Sequence, residues 1–294
     1  MFMMHRLRPA IAIGAIGLAA LPGCRTTSQG GGPAGQPAAS RTAPPSIEPP
    51  RFARPLVVSN AMFPLRPGTE FVYRGALVEG GKSTAHSVTF TVTDLTKVID
   101  GVRTVVAWDR DFKAGELTEQ ELAFFAQDDR GNVWNFGEYP EEFTDGRFNG
   151  APDTWIRGAG GAYGGVHMLA RPAVGAQYRE GLVPKIEFND MSEVTATSQR
   201  TCVPAGCYGR VLRVSEWSPN DPGSGRQLKY YAPGVGLIRV GARGGDAQEF
   251  LALTAIRHLD GRHLGAVRKA ALTMERRAYR VSEIYRVTTR AVRR

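Results

Sequence analysis

The sequence has few of the residues that catalytic and metal-binding motifs require. Its 294 residues include five histidines and three cysteines. It contains no His-Glu-x-x-His, Gly-x-Ser-x-Gly or Cys-x-x-Cys pattern. No Gly-Lys-Ser/Thr follows the glycine-rich run from Gly158 to Gly165, so we expect a loop there and not a phosphate cradle. The sequence therefore predicts no bound cofactor and no motif-defined enzyme class.

The N-terminus lacks an apolar run long enough to span a bilayer. His5, Arg6 and Arg8 precede a short apolar segment from Ala10 to Leu21, which is the pattern of a secretory signal. The following Leu21-Pro-Gly-Cys24 resembles the lipobox of bacterial lipoproteins. This resemblance implies a signal peptide over residues 1–23 and a palmitate-bearing lipid anchor on Cys24. An ordinary signal peptide with a chance cysteine is the alternative.

Export and lipidation place the protein in the cell envelope, outside the cytoplasm. Residue 25 is arginine and not the aspartate that resembles an inner-membrane retention signal, so the outer membrane is expected in a Gram-negative host. The membrane is thus an expected partner through Cys24, and nucleic acid is not expected. No partner protein is indicated.

Positive charge is concentrated at the C-terminus. The net charge of +9 divides into +3 for residues 1–50, −2 for residues 51–256 and +8 for residues 257–294. The apolar residues of the last segment recur every three or four positions, which predicts an amphipathic helix. Such a basic helix could dock on the rest of the fold, contact an anionic membrane surface or pair with another copy. The stripe runs through Leu264, Val267, Ala271, Met274, Ala278, Val281 and Tyr285.

Between the two ends, the sequence predicts a disordered tether and one β domain. Residues 24–55 are rich in Gly, Pro, Ala and Ser and offer little to bury. Residues 56–256 contain short alternating segments separated by turns, such as Val88–Val92 and the Asp100-Gly101 hairpin signal. The expected fold is all-β, with one curved antiparallel sheet, barrel-like or a half-barrel, followed by the basic helical tail of residues 257–294.

Three motifs carry a resemblance to a known group of proteins. They are Phe63-Pro-Leu-x-Pro-Gly-Thr69, Ala126-Gln-Asp-x-x-Gly-Asn-Val-Trp-x-Phe-Gly-Glu138 and Lys229-Tyr-Tyr-Ala-Pro-Gly-Val-Gly236. Together they resemble an uncharacterised family of exported bacterial proteins, often lipoproteins, over residues 60–256. The resemblance implies a fold class and a compartment but no activity and no catalytic residue. The Cys202–Cys207 pair and the basic tail depart from the family pattern.

Cys202 and Cys207 are the two cysteines left after Cys24. The intervening Val-Pro-Ala-Gly suits a tight turn that would place them opposite each other across a hairpin. In an oxidising compartment this pairing predicts a structural disulfide.

An acidic stretch is the nearest approach to a chemical site. Carboxylates from adjacent strands could bind Ca²⁺ or form an acid/base pair, although turn chemistry and solvated faces also explain them. The candidates are Asp109, Asp111, Asp128, Asp129 and Glu138.

The leading functional hypothesis is a non-enzymatic binding module for an apolar or envelope ligand, or for a partner protein. A carboxylate-dependent hydrolase acting on envelope polymers is the alternative, and a purely structural envelope component is a third hypothesis.

Overall fold

The computed structural model describes residues 49–294. The expected signal peptide, Cys24 and most of the tether lie outside these residues. Of these residues, 57% lie in strands and 13% are helical. The strands form a mostly antiparallel sheet that curves but is not closed, and the C-terminus is helical. This confirms the predicted fold class. Neither helix in this part of the chain combines the length and hydropathy needed to cross a membrane.

Sixteen strands, β1–β16, and two helices, α1 and α2, follow one another along the chain. In order they are β1 Thr69–Glu79, β2 Lys82–Ile99, β3 Val102–Lys113, β4 Glu116–Gln127, β5 Val133–Thr144, β6 Arg147–Gly150, β7 Trp155–Ile156, β8 Tyr163–Gly164, β9 Val166–Met168, β10 Gln177–Val183, β11 Phe188–Val203, β12 Gly206–Trp217, β13 Arg226–Ala232, β14 Gly236–Arg243, β15 Ala247–His258, α1 Gly261–Val281, α2 Glu283–Arg286 and β16 Val292–Arg293.

Most strands pair with their neighbours in sequence, as expected for a meander. The order across the sheet is β6-β5-β4-β3-β2-β1-β15-β14-β13-β12-β11-β10-β8, so β1 is held between β2 and β15. Asp100 and Gly101 both have positive φ, 48° and 74°, and form the tight turn predicted between β2 and β3. β11 is one long strand, and its register against β12 shifts three times.

A narrow seam separates β5 from β10. Within residues 163–168, β8 pairs with β10 and β9 pairs with β5. Between these short strands, Gly165 accepts a hydrogen bond from Asn135 N at 2.9 Å and donates one to Glu180 O at 3.0 Å. Part of the predicted glycine-rich loop therefore spans the gap between the two strands.

Side chains on β2–β5 are buried on both faces of the sheet. Alternate residues such as Ala107, Ala123 and Phe125 belong to a cluster shared with β1 and β11–β15. We call this side the inner face, because strands from across the curved sheet meet there. The opposite, outer face carries Trp108 and Phe124, which pack in a separate cluster with the C-terminal helices.

The helical tail docks on that outer face. Val267, Ala271, Met274 and Ala278 of α1 and Tyr285 of α2 are buried there, so the predicted apolar stripe packs against the sheet. The single helix expected from residue 264 to residue 285 is interrupted at Ser282, whose side chain caps α2. Val281, expected in the stripe, is the last residue of α1; it is 47% exposed and does not join the outer cluster, so the buried stripe stops at Ala278 and resumes at Tyr285.

The packed region begins before the boundary expected at residue 56. Phe52 packs edge-on against Phe136 of the outer cluster, with ring centroids 5.3 Å apart. Asp129 Oδ1 accepts a hydrogen bond from Ala53 N at 2.8 Å. The last residues of the predicted tether thus contact the β4–β5 turn.

Candidate functional site

The inner face is divided into an apolar half and a polar half. Along β12, Leu212 and Val214 precede Glu216, and along β13 the order from the apolar end is Tyr231, Lys229, Gln227. Strands β3 and β4 show the same division. Ala107 pairs with Ala123 in the apolar half, and Asp109 pairs with Glu121 in the polar half. We call the charged half the inner polar belt. Its members are His86, Asp109, Asp111, Glu121, Glu138, Glu180, Ser192, Glu216, Lys229 and Glu249.

Only part of the acidic stretch predicted from the sequence reaches this belt. Asp109, Asp111 and Glu138 lie on the inner face, because they pair with inner-face residues of the neighbouring strands. Asp128 instead accepts hydrogen bonds from Arg130 N, Asn132 N and Trp134 Nε1 at 2.8–3.0 Å. Together with the contact between Asp129 and Ala53, this places Asp128 and Asp129 in a structural turn away from the belt.

Glu138 is held rigidly within the belt. Its Oε1 accepts from Asn135 Nδ2 at 2.6 Å, and its Oε2 accepts from Trp155 Nε1 at 3.0 Å. Burial raises the pKa of Glu138, and nearby Glu180 adds to the increase. Burial also raises the pKa of Glu121, with the charge of Glu138 as a further cause. The two carboxyls therefore disfavour each other's ionisation.

A second group of belt residues surrounds Lys229. Lys229 Nζ forms a buried ion pair with Glu216 Oε2. Burial raises the pKa of Glu216 to about 8, as does the neighbouring Glu180, while Lys229 opposes the shift. Glu216 and Glu180 raise the pKa of Lys229 despite its burial. One ammonium group thus faces two carboxyls, one of which holds a proton near neutral pH.

His167 connects this group to the apolar half. Its Nδ1 lies 3.3 Å from Glu180 Oε2, and its ring meets Phe63 edge-on with centroids 4.3 Å apart. Burial lowers the pKa of His167 to about 3, and the charge of Lys229 adds to this effect. The ring is therefore neutral. A carboxylate beside Nδ1 favours the tautomer that carries its proton on Nδ1, which leaves Nε2 as an acceptor. Among the described residues, Nε2 has no hydrogen-bond partner, although His167 is only 2% exposed.

A pocket opens beside His167 in the apolar half. Its cavity volume is about 30 Å³, and the unoccupied space around that cavity, which extends into open solvent, is about 430 Å³. Its wall contains the imidazole of His167, the ammonium group of Lys229 and the phenol of Tyr73. The Tyr73 hydroxyl donates a hydrogen bond to Leu237 O at 2.9 Å. The remaining wall is mainly apolar and includes Phe63, Leu65, Phe71, Phe90, Tyr231 and Leu237.

The segment before β1 supplies part of that wall. Asn60 N donates to Gln127 Oε1 at 2.8 Å, and Asn60 Nδ2 donates to Gly131 O at 2.9 Å. These bonds fix the turn that presents Phe63 and Leu65 to the inner face. The Phe63-Pro-Leu motif noted in the sequence thus contributes to the pocket.

A cluster of possible metal ligands lies at the far end of the belt. Ligand atoms of His86, Asp111 and Glu249 lie within 4.8 Å of one another. However, His86 Nε2 is 2.7 Å from Asp111 Oδ1, while Nδ1 is 3.4 Å from Glu249 Oε1. The carboxylates face opposite nitrogens of the ring, and a single cation cannot bind both nitrogens. This geometry favours a histidine held between two carboxylates, by a hydrogen bond at Nε2 and a charge contact at Nδ1, over a metal centre.

Sequence reasoning missed much of the belt. His167, Glu180, Glu216 and Lys229 were not among the candidates. The sequence pattern that could have indicated them is a charged residue that continues a series of alternate apolar residues in a strand, as Glu216 continues Leu212 and Val214. A period of two identifies such a phase but does not say which face of the sheet is buried.

The two predicted cysteine partners do meet in the structure. Cys202 and Cys207 face each other across the β11–β12 hairpin and form a disulfide, with Cα atoms 4.0 Å apart. Both residues are exposed and lie away from the pocket wall. The bond therefore closes a hairpin tip and contributes no group to the site.

Comparisons with known proteins give no assignment of function. No protein-family model and no curated protein matches this chain. A crystal structure from Bacteroides fragilis, described provisionally as an exported protein with a YmcC-like fold, is 16% identical, with a TM-score of 0.40. A second, from Parabacteroides distasonis and described provisionally as a lipoprotein, is 13% identical, with a TM-score of 0.32. Each match covers 67% of this chain and 99% of the other. At these TM-scores, neither overlap establishes a shared fold or function.

Proposed function

We propose that this protein is a lipid-anchored, extracytoplasmic binding module that takes the apolar part of an envelope ligand into its inner pocket. The observation that supports it is the pocket itself, whose aromatic and aliphatic wall includes His167, a residue with a buried Nε2 that has no hydrogen-bond partner in the described part of the chain. Binding sites combine such apolar walls with a few convergent polar groups.

The polar groups narrow the chemistry of the ligand. His167 Nε2 accepts a hydrogen bond, so the matching ligand carries a hydroxyl or amide donor next to its apolar group. A ligand with a donor would remove the penalty of about 1–3 kcal/mol that a buried unsatisfied acceptor carries, whereas an apolar ligand without a donor would leave that penalty in place. The ligand class is therefore an apolar molecule with a hydroxyl or amide at one end.

A fluorescent probe tests the pocket directly. The probe 11-(dansylamino)undecanoic acid has an apolar chain and a sulfonamide N–H donor. Leu65→Trp, which fills the pocket, is expected to weaken binding at least about tenfold, and His167→Phe, which removes the acceptor, by about fivefold to a hundredfold. The matched control is Val174→Trp, because Val174 is 64% exposed and lies outside the pocket wall. Equal affinity in all folded variants would reject the pocket as the binding site.

Anchoring is a separate part of the proposal and has its own test. The lipobox-like Leu21-Pro-Gly-Cys24 supports lipidation of Cys24. Radiolabelled palmitate should appear on the wild-type chain and not on Cys24→Ser. Equal labelling of both chains, or of neither, would contradict the anchor without affecting the pocket experiment.

Glu121 and Glu138 favour a second candidate function. Both carboxyls are buried with raised pKa values and face the same interior. A paired-carboxylate hydrolase needs one carboxyl that stays protonated as general acid and a second that ionises. If the protein hydrolyses an envelope polymer such as peptidoglycan, Glu138→Gln should abolish release of new reducing ends. Glu116→Gln, at the exposed first residue of β4, is the control. No release by the wild type would leave the binding function as the sole candidate.

A further inference from the structure

Docking on the sheet consumes only part of the charge of the tail. Arg268 Nε binds Asp94 Oδ1 at 2.9 Å, and Arg277 Nε binds Glu141 Oε1 at 2.6 Å. Between residues 260 and 294, eight cationic side chains remain exposed, against two acidic ones, Asp260 and Glu283. The solvent-facing side of the docked tail is therefore strongly basic.

The exposed cations of α1 form a single row. Arg262, Lys269, Arg276 and Arg280 are all exposed and lie opposite the buried stripe of Val267 to Ala278. Their spacings of seven, seven and four residues keep them on one side of the helix, over a length of about 27 Å. A row of this kind can bring all four charges to a flat surface at once.

Apolar side chains accompany the cations at the end of the tail. Val281, Val287 and Val292 are 47%, 72% and 48% exposed. Exposed valines are not favourably hydrated, but they can be buried at the boundary between lipid headgroups and acyl chains when cations flank them. Basic residues beside exposed apolar residues are the composition of a membrane-surface contact.

We propose that this face, which we call the basic tail face, lies on an anionic lipid surface and orients the domain there. Each Lys or Arg close to an anionic leaflet contributes about 1 kcal/mol of attraction. The inference rests on the proposed lipid anchor only for proximity.

The test uses the full chain carrying Cys24→Ser, so that no lipid is attached. Sedimentation measures its binding to phosphatidylcholine vesicles with and without phosphatidylglycerol, at low and high salt. A variant with Arg262, Lys269, Arg276 and Arg280 changed to Gln is compared with a charge-matched control in which Arg54, Arg171, Arg200 and Arg243, all exposed outside the tail, are changed to Gln. The basic N-terminal residues are the same in every chain.

We expect binding that needs phosphatidylglycerol, weakens with salt and falls at least about tenfold in the tail variant. The control should lose less than about threefold. Equal losses in both variants, or equal binding with and without phosphatidylglycerol, would overturn the proposal. Binding to double-stranded DNA through the same four cations, without binding to anionic vesicles, would also overturn it. Because the chains are unlipidated, failure here is distinct from failure of palmitate labelling.

Discussion

Lys97 Nζ lies 2.8 Å from Glu275 Oε1, in an ion pair that joins the outer face of the sheet to α1. Both side chains are buried, and the ammonium also contacts Tyr279 Oη at 3.0 Å and the Tyr285 ring at 4.3 Å from its centroid. Glu275 Oε1 in turn accepts a hydrogen bond from Ala291 N at 2.8 Å. The pair thus connects β2, both helices and the chain that follows them.

We expect Lys97→Met to destabilise the fold by about 3–5 kcal/mol, because it leaves the Glu275 carboxylate buried without its cation. Urea unfolding measures the loss. As a control, Lys269→Met, at an exposed position of α1, should change the free energy of unfolding by less than about 0.5 kcal/mol. The double variant Lys97→Met, Glu275→Leu should recover part of the loss, since no charge remains buried. A Lys97→Met chain as stable as the control would show that the pair does not hold the tail.

The seam between β5 and β10 depends on glycine for a steric reason. A Cβ on Gly164 would lie 2.2 Å from Asn135 O, and one on Gly165 would lie 2.1 Å from Arg179 O. Gly164→Ala should therefore push the strands apart and cost about 2–3 kcal/mol, with faster hydrogen exchange at Asn135 N and Gly165 N. Gly209→Ala is the matched control, because nothing lies within 4 Å of its Cβ position. Unchanged exchange at the seam would argue against the close approach.

The sequence predicted the features that depend on local pattern. Alternation in Val88–Val92, the Asp100-Gly101 turn and the stripe of α1 each follow from spacing and turn chemistry, and the structure has all three. The burial of Lys97 could not be inferred in the same way, because its partner Glu275 lies 178 residues away. The interruption at Ser282 was not predicted, because the apolar residues keep their three-four spacing across it and so give no sign that Ser282 caps a second helix.

The candidate site was harder to predict than the fold. Asp128 and Glu138 belong to one motif and look equivalent in sequence. In the structure, Asp128 serves the turn and Trp134, whereas Glu138 faces the interior beside Asn135 and Trp155. The difference depends on the bulge between β4 and β5 at Phe124/Phe125 and on contacts with β7. Neither is encoded in the spacing of the acidic residues.

The neutral state of His167 makes stability depend on pH. Its pKa is lowered to about 3 in the fold, against about 6.5 in the unfolded chain, so between these values the unfolded state binds the extra proton. The contribution of His167 is fully present above pH 6.5 and is lost as pH falls, by up to about 1.4 kcal/mol per pH unit. Urea unfolding of wild type and His167→Asn at pH 7 and pH 5 measures it. The wild type should lose more stability than the variant, and equal losses would mean that His167 is protonated in the fold.

Glu216 should act in the opposite direction. Burial raises its pKa to about 8 in the fold, above the unfolded value of about 4.3, so the folded state binds the extra proton between these values. Its contribution is therefore full at low pH and is lost as pH rises through about 8, by up to about 1.4 kcal/mol per pH unit. Glu216→Gln keeps an acceptor for Lys229 but cannot titrate. The difference in unfolding free energy between wild type and Glu216→Gln should shift against the wild type between pH 5 and pH 8. A constant difference across this range would show that Glu216 is ionised throughout, with Lys229 compensating its charge completely.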